Sequence, residues 1–314
     1  MDSGETMTSR PHLPETSPRS DSRQPARRES ERDDVGPPAI PGSVTTEDLL
    51  VEGPHGTIPL RVYTPATRPA ATLLWMHGGG FSRGTLDWPE AHMVSAELAA
   101  RASARVVSVD YRLAGAGILF PVPLDDVYAA WEWLTSAFPR SEGGIHAVGG
   151  ASAGAALALG CAVRGRDESL PADRVLLAYP FAHYPNPALD SATVRDMEAI
   201  PGILRFPPAS IEEMVTGYVG RITDLPPLAL PGAARLDGLP PTAIALSEYD
   251  DLRPSGELLG RQLTSVGAPV SLHVAARMPH GHLNHWPSPP EASASLDFLG
   301  ASLSPLPAGR ATFA

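Results

Sequence analysis

From Thr45 onward, short apolar runs alternate with stretches of helical spacing, and this alternation leaves few architectures open to the chain. Residues 71–76, 105–110, 144–149, 174–179, 242–246 and 270–274 are mostly unbroken β-branched and aliphatic runs, the pattern of strands covered on both faces. Between them, residues 89–101, 124–137, 153–164, 255–266 and 292–303 read as helices. Strand–helix–strand alternation predicts right-handed crossovers and an α/β fold with a mostly parallel, doubly wound sheet. Residues 48–52 and 58–63 flank a Gly53-Pro54-His55-Gly56 turn and predict a hairpin at one edge. Function in such sheets gathers beyond the carboxyl ends of the strands.

Two regions depart from this rhythm. Residues 1–42 are rich in Ser, Pro, Arg and acids, and a stretch so poor in aliphatics cannot offset its ordering entropy, so a disordered tail is expected there. The remainder, 43–314, is expected to form one domain. Within it, the connection from Tyr179 to Pro240 is too long for a plain crossover. It predicts two amphipathic helices, 190–199 and 210–219, in a cap inserted over about 183–237.

Composition excludes several classes of function. Apolar residues make up 43% of the 314, enough for a buried core, and no uncharged run approaches the roughly 18 apolar residues of a membrane-spanning helix. The net charge of −11 argues against nucleic acid as a partner. All 24 basic residues are arginine, so Schiff-base, P-loop and kinase lysines are excluded. The single cysteine, Cys161, permits neither an intrachain disulfide nor a thiolate metal cluster and reads as a buried filler. No secretion-signal pattern stands near Met1, and a cytoplasmic location is expected.

The chemistry concentrates at four places. Gly150-Ala151-Ser152-Ala153-Gly154 falls where the 144–149 strand meets the 153–164 helix. This G-x-S-x-G spacing suits a strained strand-to-helix turn that exposes a serine hydroxyl, with small neighbours admitting the helix. By chance it arises in roughly one chain of this length in ten, so its context carries the weight. His77-Gly78-Gly79-Gly80 follows the 71–76 strand and can turn backbone N–H groups toward a developing oxyanion, joined by that of Ala153. A nucleophilic serine needs a base, and the base an orienting acid, in the chain order Ser, Asp or Glu, His. Beyond the 242–246 strand lie Glu248, Asp250 and Asp251; beyond the 270–274 strand lie His280, His282 and His285. His280 leads among the bases because Gly281 lets the loop bend toward the serine.

Taken together, these landmarks resemble the hormone-sensitive-lipase-like branch of the α/β-hydrolases. The matching pieces are His77-Gly78-Gly79-Gly80-Phe81, Asp110-Tyr111-Arg112-Leu113-Ala114, Leu124-Asp125-Asp126, the turn around Ser152, Gly238-Leu239-Pro240-Pro241, Glu248-Tyr249-Asp250-Asp251-Leu252-Arg253 and His280-Gly281. They come in the family's order over about 45–303. The resemblance implies that Asp250 is the acid, that Gly79 and Gly80 supply oxyanion donors, and that the activity is hydrolysis of short-chain acyl esters. Three departures stand out. Ala151 occupies a position that is Asp in many relatives, Asp251 stands where proline is common, and 115–121 lacks the usual Pro-Glu-x-Pro-Phe-Pro, which predicts a reshaped loop. With a polar stretch in place of the relatives' N-terminal helices, a reduced, more open cap is expected, or one ordered only on binding.

The expected mechanism is acyl transfer through Ser152, His280 and Asp250, with no metal or organic cofactor, on a small-molecule ester; a homodimer is compatible with the sequence. Phe81, Phe120, Phe181, Tyr184, Met214 and Tyr218 are candidates to line the substrate pocket, or to fix the cap to the core. Asp125 and Asp126 read as helix-opening acids, and His77 as a residue that orders its own loop. A metal site at His280, His282 and His285 is disfavoured because no acidic ligand adjoins them. The rival readings are an amidase or deacetylase with the same triad, a non-catalytic ligand-binding relative, and a peptidase of the same fold.

Overall fold

The structure is a computed structural model that describes residues 39–140 and 143–304. Residues 1–38, the bulk of the expected tail, lie outside the described residues.

Among the described residues, eight strands form one sheet: β1 (Val44–Val51), β2 (Ile58–Pro65), β3 (Ala71–Met76), β4 (Ala104–Val109), β5 (Ile145–Ala151), β6 (Arg174–Ala178), β7 (Thr242–Tyr249) and β8 (Val270–Pro279). Their order is β1-β2-β4-β3-β5-β6-β7-β8. The β1–β2 and β2–β4 pairs are antiparallel, and every other pair is parallel. The opening hairpin therefore sits at one edge, as the turn at 53–56 predicts.

Strand side chains alternate between two apolar layers, as the pleat requires. Leu74, Met76, Val107, Val148, Leu177 and Ile244 face the layer built from α2 (Val122–Ala137), α3 (Ala153–Asp167) and α6 (Arg253–Ser265). Leu73, Trp75, Val106, Ala147, Leu176 and Ala245 face α1 (Pro89–Ala102) and α7 (Pro290–Ala301). Every residue of β3 and of β5 is buried, which is why these strands read as mostly apolar runs, with Thr72 and His146 buried among them.

Three regions differ from the sequence expectation. β1 begins four residues earlier than predicted: Val44 pairs with Pro65 and Val51 with Ile58, and the exposed middle of this edge strand has no apolar signature. β7 and β8 run past their apolar segments to Tyr249 and Pro279, with an irregularity between Ser247 and Tyr249. The backbone ladder continues there through polar residues. This extension carries Asp250 and His280 to the carboxyl end of the sheet.

The third difference is in the 179–240 connection. α4 spans Ser191–Asp196, capped by the Asp190 carboxylate accepting from the Ala192 and Thr193 amides, and passes into a 3₁₀ turn at Met197–Ala199 before Pro201. α5 (Pro208–Val219) follows and buries Ile211, Val215 and Tyr218. No helix of the described residues is long and apolar enough to cross a membrane.

Candidate active site

Ser152 stands between the last residue of β5 and the first of α3 with φ 54° and ψ −118°, a conformation that a β-carbon disfavours. Close packing holds it there. A β-carbon on Gly150 would strike the Gly154 carbonyl, and one on Gly154 would strike the carbonyls of Met76 and His77. The two outer glycines of the motif thus let α3 press against the end of β3, directly beside the glycine loop. The Ser152 amide donates to the Ala178 carbonyl at 2.9 Å and ties the turn to β6.

His280 Nε2 lies 2.8 Å from Ser152 Oγ, and His280 Nδ1 lies 2.7 Å from Asp250 Oδ2. A carboxylate oxygen accepts, so Nδ1 carries the proton and Nε2 accepts from the serine hydroxyl. Asp250 is fully buried and its other oxygen accepts from the Leu252 amide at 2.8 Å. Burial alone would push the His280 pKa down; the neighbouring carboxylates of Asp250, Glu90 and Asp251 outweigh it and raise the imidazole above 6.5.

The remaining acids and histidines of the two clusters have other partners. Glu248 accepts from the Arg277 amide at 2.6 Å. Asp251 accepts from Arg205 Nε at 2.8 Å and from the Phe206 amide at 2.7 Å. Burial would raise the Asp251 carboxyl, but these donors hold it below its ordinary range. His282 is buried between Ser247 Oγ at 2.8 Å and Ser295 Oγ at 2.9 Å, and burial lowers its pKa to about 3. Both its ring nitrogens are engaged, and His285 is exposed.

Gly79 and Gly80 adopt φ 106° and φ 61°, turns that suit glycine, whereas the Gly78 amide donates to Glu90 Oε2 at 2.6 Å. Among the described residues, the Gly79 and Gly80 amides donate to no protein acceptor. Ala153 opens α3 immediately after Ser152. His77 orders this loop: it is buried, stacks on Tyr111 at 4.6 Å between ring centroids, meets the Gly78 carbonyl at 2.7 Å, and is held by burial at a pKa of about 4. The Tyr111 hydroxyl donates to the His77 carbonyl at 2.8 Å.

The aromatic candidates divide into two groups. Phe81 and Tyr218 are buried and stacked, with centroids 3.8 Å apart and planes 1° from parallel, and Phe120 meets Tyr218 edge-on. These rings join α5 to the core, and the Phe120 amide donates to the Tyr218 carbonyl. Phe181 is fully buried in the same apolar layer, with half-buried Tyr184 against it. Met214 reaches the glycine loop from α5: a β-carbon on Gly80 would lie 2.9 Å from its sulfur.

Other candidates are structural. Asp126 is buried and accepts from the Arg112 amide and guanidinium, and Asp125 meets His55 and Arg164. Cys161 is buried in α3, and burial pushes its thiol far up.

Sequence reasoning missed three groups around His280. Phe206 lies edge-on to the imidazole at 4.7 Å, and Tyr179 edge-on at 5.0 Å. Glu90 is buried and accepts from Tyr179 Oη at 2.5 Å and Asn284 Nδ2 at 2.9 Å as well as from Gly78. In sequence, Glu90 after Pro89 is an ordinary first-turn helix acid, with no local signal of burial.

Comparison with known proteins places the chain in a family. Residues 73–284 match the family model described as the alpha/beta hydrolase fold. The chain is 35% identical to the esterase LipI of Mycobacterium tuberculosis over 76% of this chain and 75% of that one. It is 32% identical to the carboxylesterase NlhH of the same species, covering 72% of each chain. Among solved structures, the Pyrobaculum calidifontis esterase superposes with a TM-score of 0.72 at 30% identity, over 82% of this chain and 84% of that one.

Proposed function

The chain belongs to the hormone-sensitive-lipase-like group of α/β-hydrolases and is a carboxylic ester hydrolase; from that premise we propose that it cleaves short-chain acyl esters with Ser152 as nucleophile, His280 as general base and Asp250 as the acid that orients it. The observation that carries this reading is the unbroken hydrogen-bond chain Asp250–His280–Ser152, at 2.7 and 2.8 Å, on a strained turn.

In this mechanism Ser152 Oγ attacks the ester carbonyl as His280 Nε2 takes its proton, while Asp250 fixes the tautomer and stabilises the imidazolium. The Gly79, Gly80 and Ala153 amides receive the oxyanion. A positioned donor of this kind contributes on the order of 10²–10³ in rate. His280 then protonates the leaving alcohol, and water repeats the cycle on the acyl-enzyme. The residues present supply every proton transfer and the oxyanion stabilisation.

Segment 183–237 acts as the cap. Met214 over the Gly80 loop and Phe206 against His280 crowd the reacting centre, which supports a short acyl group. Hydrolysis of nitrophenyl esters from acetyl to dodecanoyl by wild type and Ser152→Ala tests the reading. Turnover greatest on the shortest acyl chains and abolished in Ser152→Ala is expected. Activity surviving in Ser152→Ala would overturn the nucleophile, and a preference for dodecanoyl would overturn the acyl assignment.

A further inference from the structure

Glu90 is a fully buried carboxylate that three different parts of the site converge upon. It lies in the first turn of α1 and takes the Gly78 amide at 2.6 Å on Oε2. Its Oε1 takes the Tyr179 hydroxyl at 2.5 Å and Asn284 Nδ2 at 2.9 Å. Gly78 belongs to the glycine loop, Tyr179 to the end of β6, and Asn284 to the loop after His280. The Asn284 side chain also accepts from the Glu90 amide at 3.3 Å, so the tie between α1 and the histidine loop is double.

Every partner of this carboxyl is a donor. An ionised carboxylate satisfies all three at once, taking the Gly78 amide, the Tyr179 hydroxyl and the Asn284 amide with no proton of its own to place. The 2.5 Å contact with Tyr179 has the length of a charge-assisted O–H···O⁻ bond. Burial raises the Glu90 carboxyl above its ordinary value, against the pull of Tyr179, Gly78, His280 and Asn284, all of which favour the charged form.

The groups facing His280 from the surrounding elements are Asp250 and Asp251 after β7, Tyr179 after β6, Glu90 from α1, His282 on its own loop, and Phe206 with Arg205 ahead of α5. Arg205 is occupied by Asp251. Asp250 touches the imidazole directly, whereas Glu90 acts across the Tyr179 ring, which links the two.

We propose that Glu90 is a positioning carboxylate of the ester-hydrolase site: it locks the glycine loop, Tyr179 and the histidine loop in one register, and places a fixed negative charge beside His280 that favours the imidazolium formed during acyl transfer. With its Gly78 amide held by Glu90, the loop turns the next two amides, those of Gly79 and Gly80, away from internal partners and leaves them for the substrate. A carboxylate in a low-dielectric interior stabilises a developing cation more strongly than one in water. This role rests on the assignment of Ser152, His280 and Asp250 above.

Glu90→Gln keeps an oxygen acceptor and nearly the same shape but removes the charge. The expected result is a fall in kcat of at least about tenfold with KM changed less than about threefold. The acid limb of the kcat/KM profile should also move to lower pH, because removing a negative neighbour makes His280 easier to deprotonate. A variant with wild-type kcat and an unmoved acid limb would overturn the proposal. Should Glu90→Gln fail to fold by circular dichroism, Asn284→Ala at its half-buried position provides the second reading. A kcat loss with KM kept supports the register role, and unchanged kcat overturns it. Ser152→Ala measured in parallel separates the two assignments: activity that survives there removes the nucleophile itself, whereas a failure at Glu90 alone leaves the Ser152→Ala loss intact.

Discussion

Asp251 and Arg205 meet through two parallel hydrogen bonds, Nε to Oδ2 at 2.8 Å and Nη2 to Oδ1 at 3.0 Å, and so fasten the connection ahead of α5 to the loop that carries Asp250. The next residue, Phe206, donates its amide to the same carboxylate and sets its ring against His280. One carboxylate thus fixes a wall of the site at the position where proline is common in the family.

Replacing Asp251 with Asn should loosen that wall without touching the reacting atoms. A partly exposed pair of this kind contributes about 1 kcal/mol, which corresponds to a rise in KM of roughly fivefold. Steady-state kinetics on a short nitrophenyl ester should show this with kcat nearly unchanged, and added salt should narrow the difference from wild type. A large loss of kcat with KM unchanged would place Asp251 in the chemistry instead.

The pH profile follows from His280. Its pKa is raised above 6.5 against the effect of burial, and attack requires the neutral imidazole. Activity is therefore present above that pKa and lost as the pH falls through it. The midpoint of the acid limb of kcat/KM should lie above 6.5, and a midpoint well below it would contradict the carboxylate environment described for His280.

Gly154→Ala should damage the elbow by collision. Its β-carbon meets the Met76 and His77 carbonyls, backbone atoms that cannot rotate away. Overpacking of this kind costs about 3 kcal/mol, equivalent to a Tm lower by roughly 6–12 °C in a domain of this size. Thermal unfolding followed by circular dichroism measures it, and an unchanged Tm would show that α3 can retreat from β3.

Phe81→Ala removes the ring stacked on Tyr218 and leaves a cavity between α5 and the core. Truncation of a fully buried Phe costs about 3–5 kcal/mol. Urea unfolding should show a lower midpoint with little change in slope. If Phe81 lined an open pocket instead, the loss would appear in KM and leave stability largely intact.

What the sequence determines here is local. The alternation of apolar runs and helical spacing specifies a doubly wound sheet with an edge hairpin, because burial on both faces leaves its mark within each run. The Ser152 turn and the glycine loop are likewise legible, since each depends on steric limits among residues within a few positions of one another. The choice among Glu248, Asp250 and Asp251 is different. Three nearby acids have similar local chemistry, and their separation into partners of Arg277, His280 and Arg205 depends on contacts between segments far apart in the chain. The same holds for His280 and His282, one turned to Ser152 and the other shut between Ser247 and Ser295. Glu90 shows the limit most sharply: it reads as a solvated first-turn acid, and becomes a buried hub only because β3, β6 and the loop after β8 bring Gly78, Tyr179 and Asn284 to it. Tertiary packing decided that, because burial and hydrogen-bond partners belong to the whole arrangement and leave no trace in the spacing of one helix.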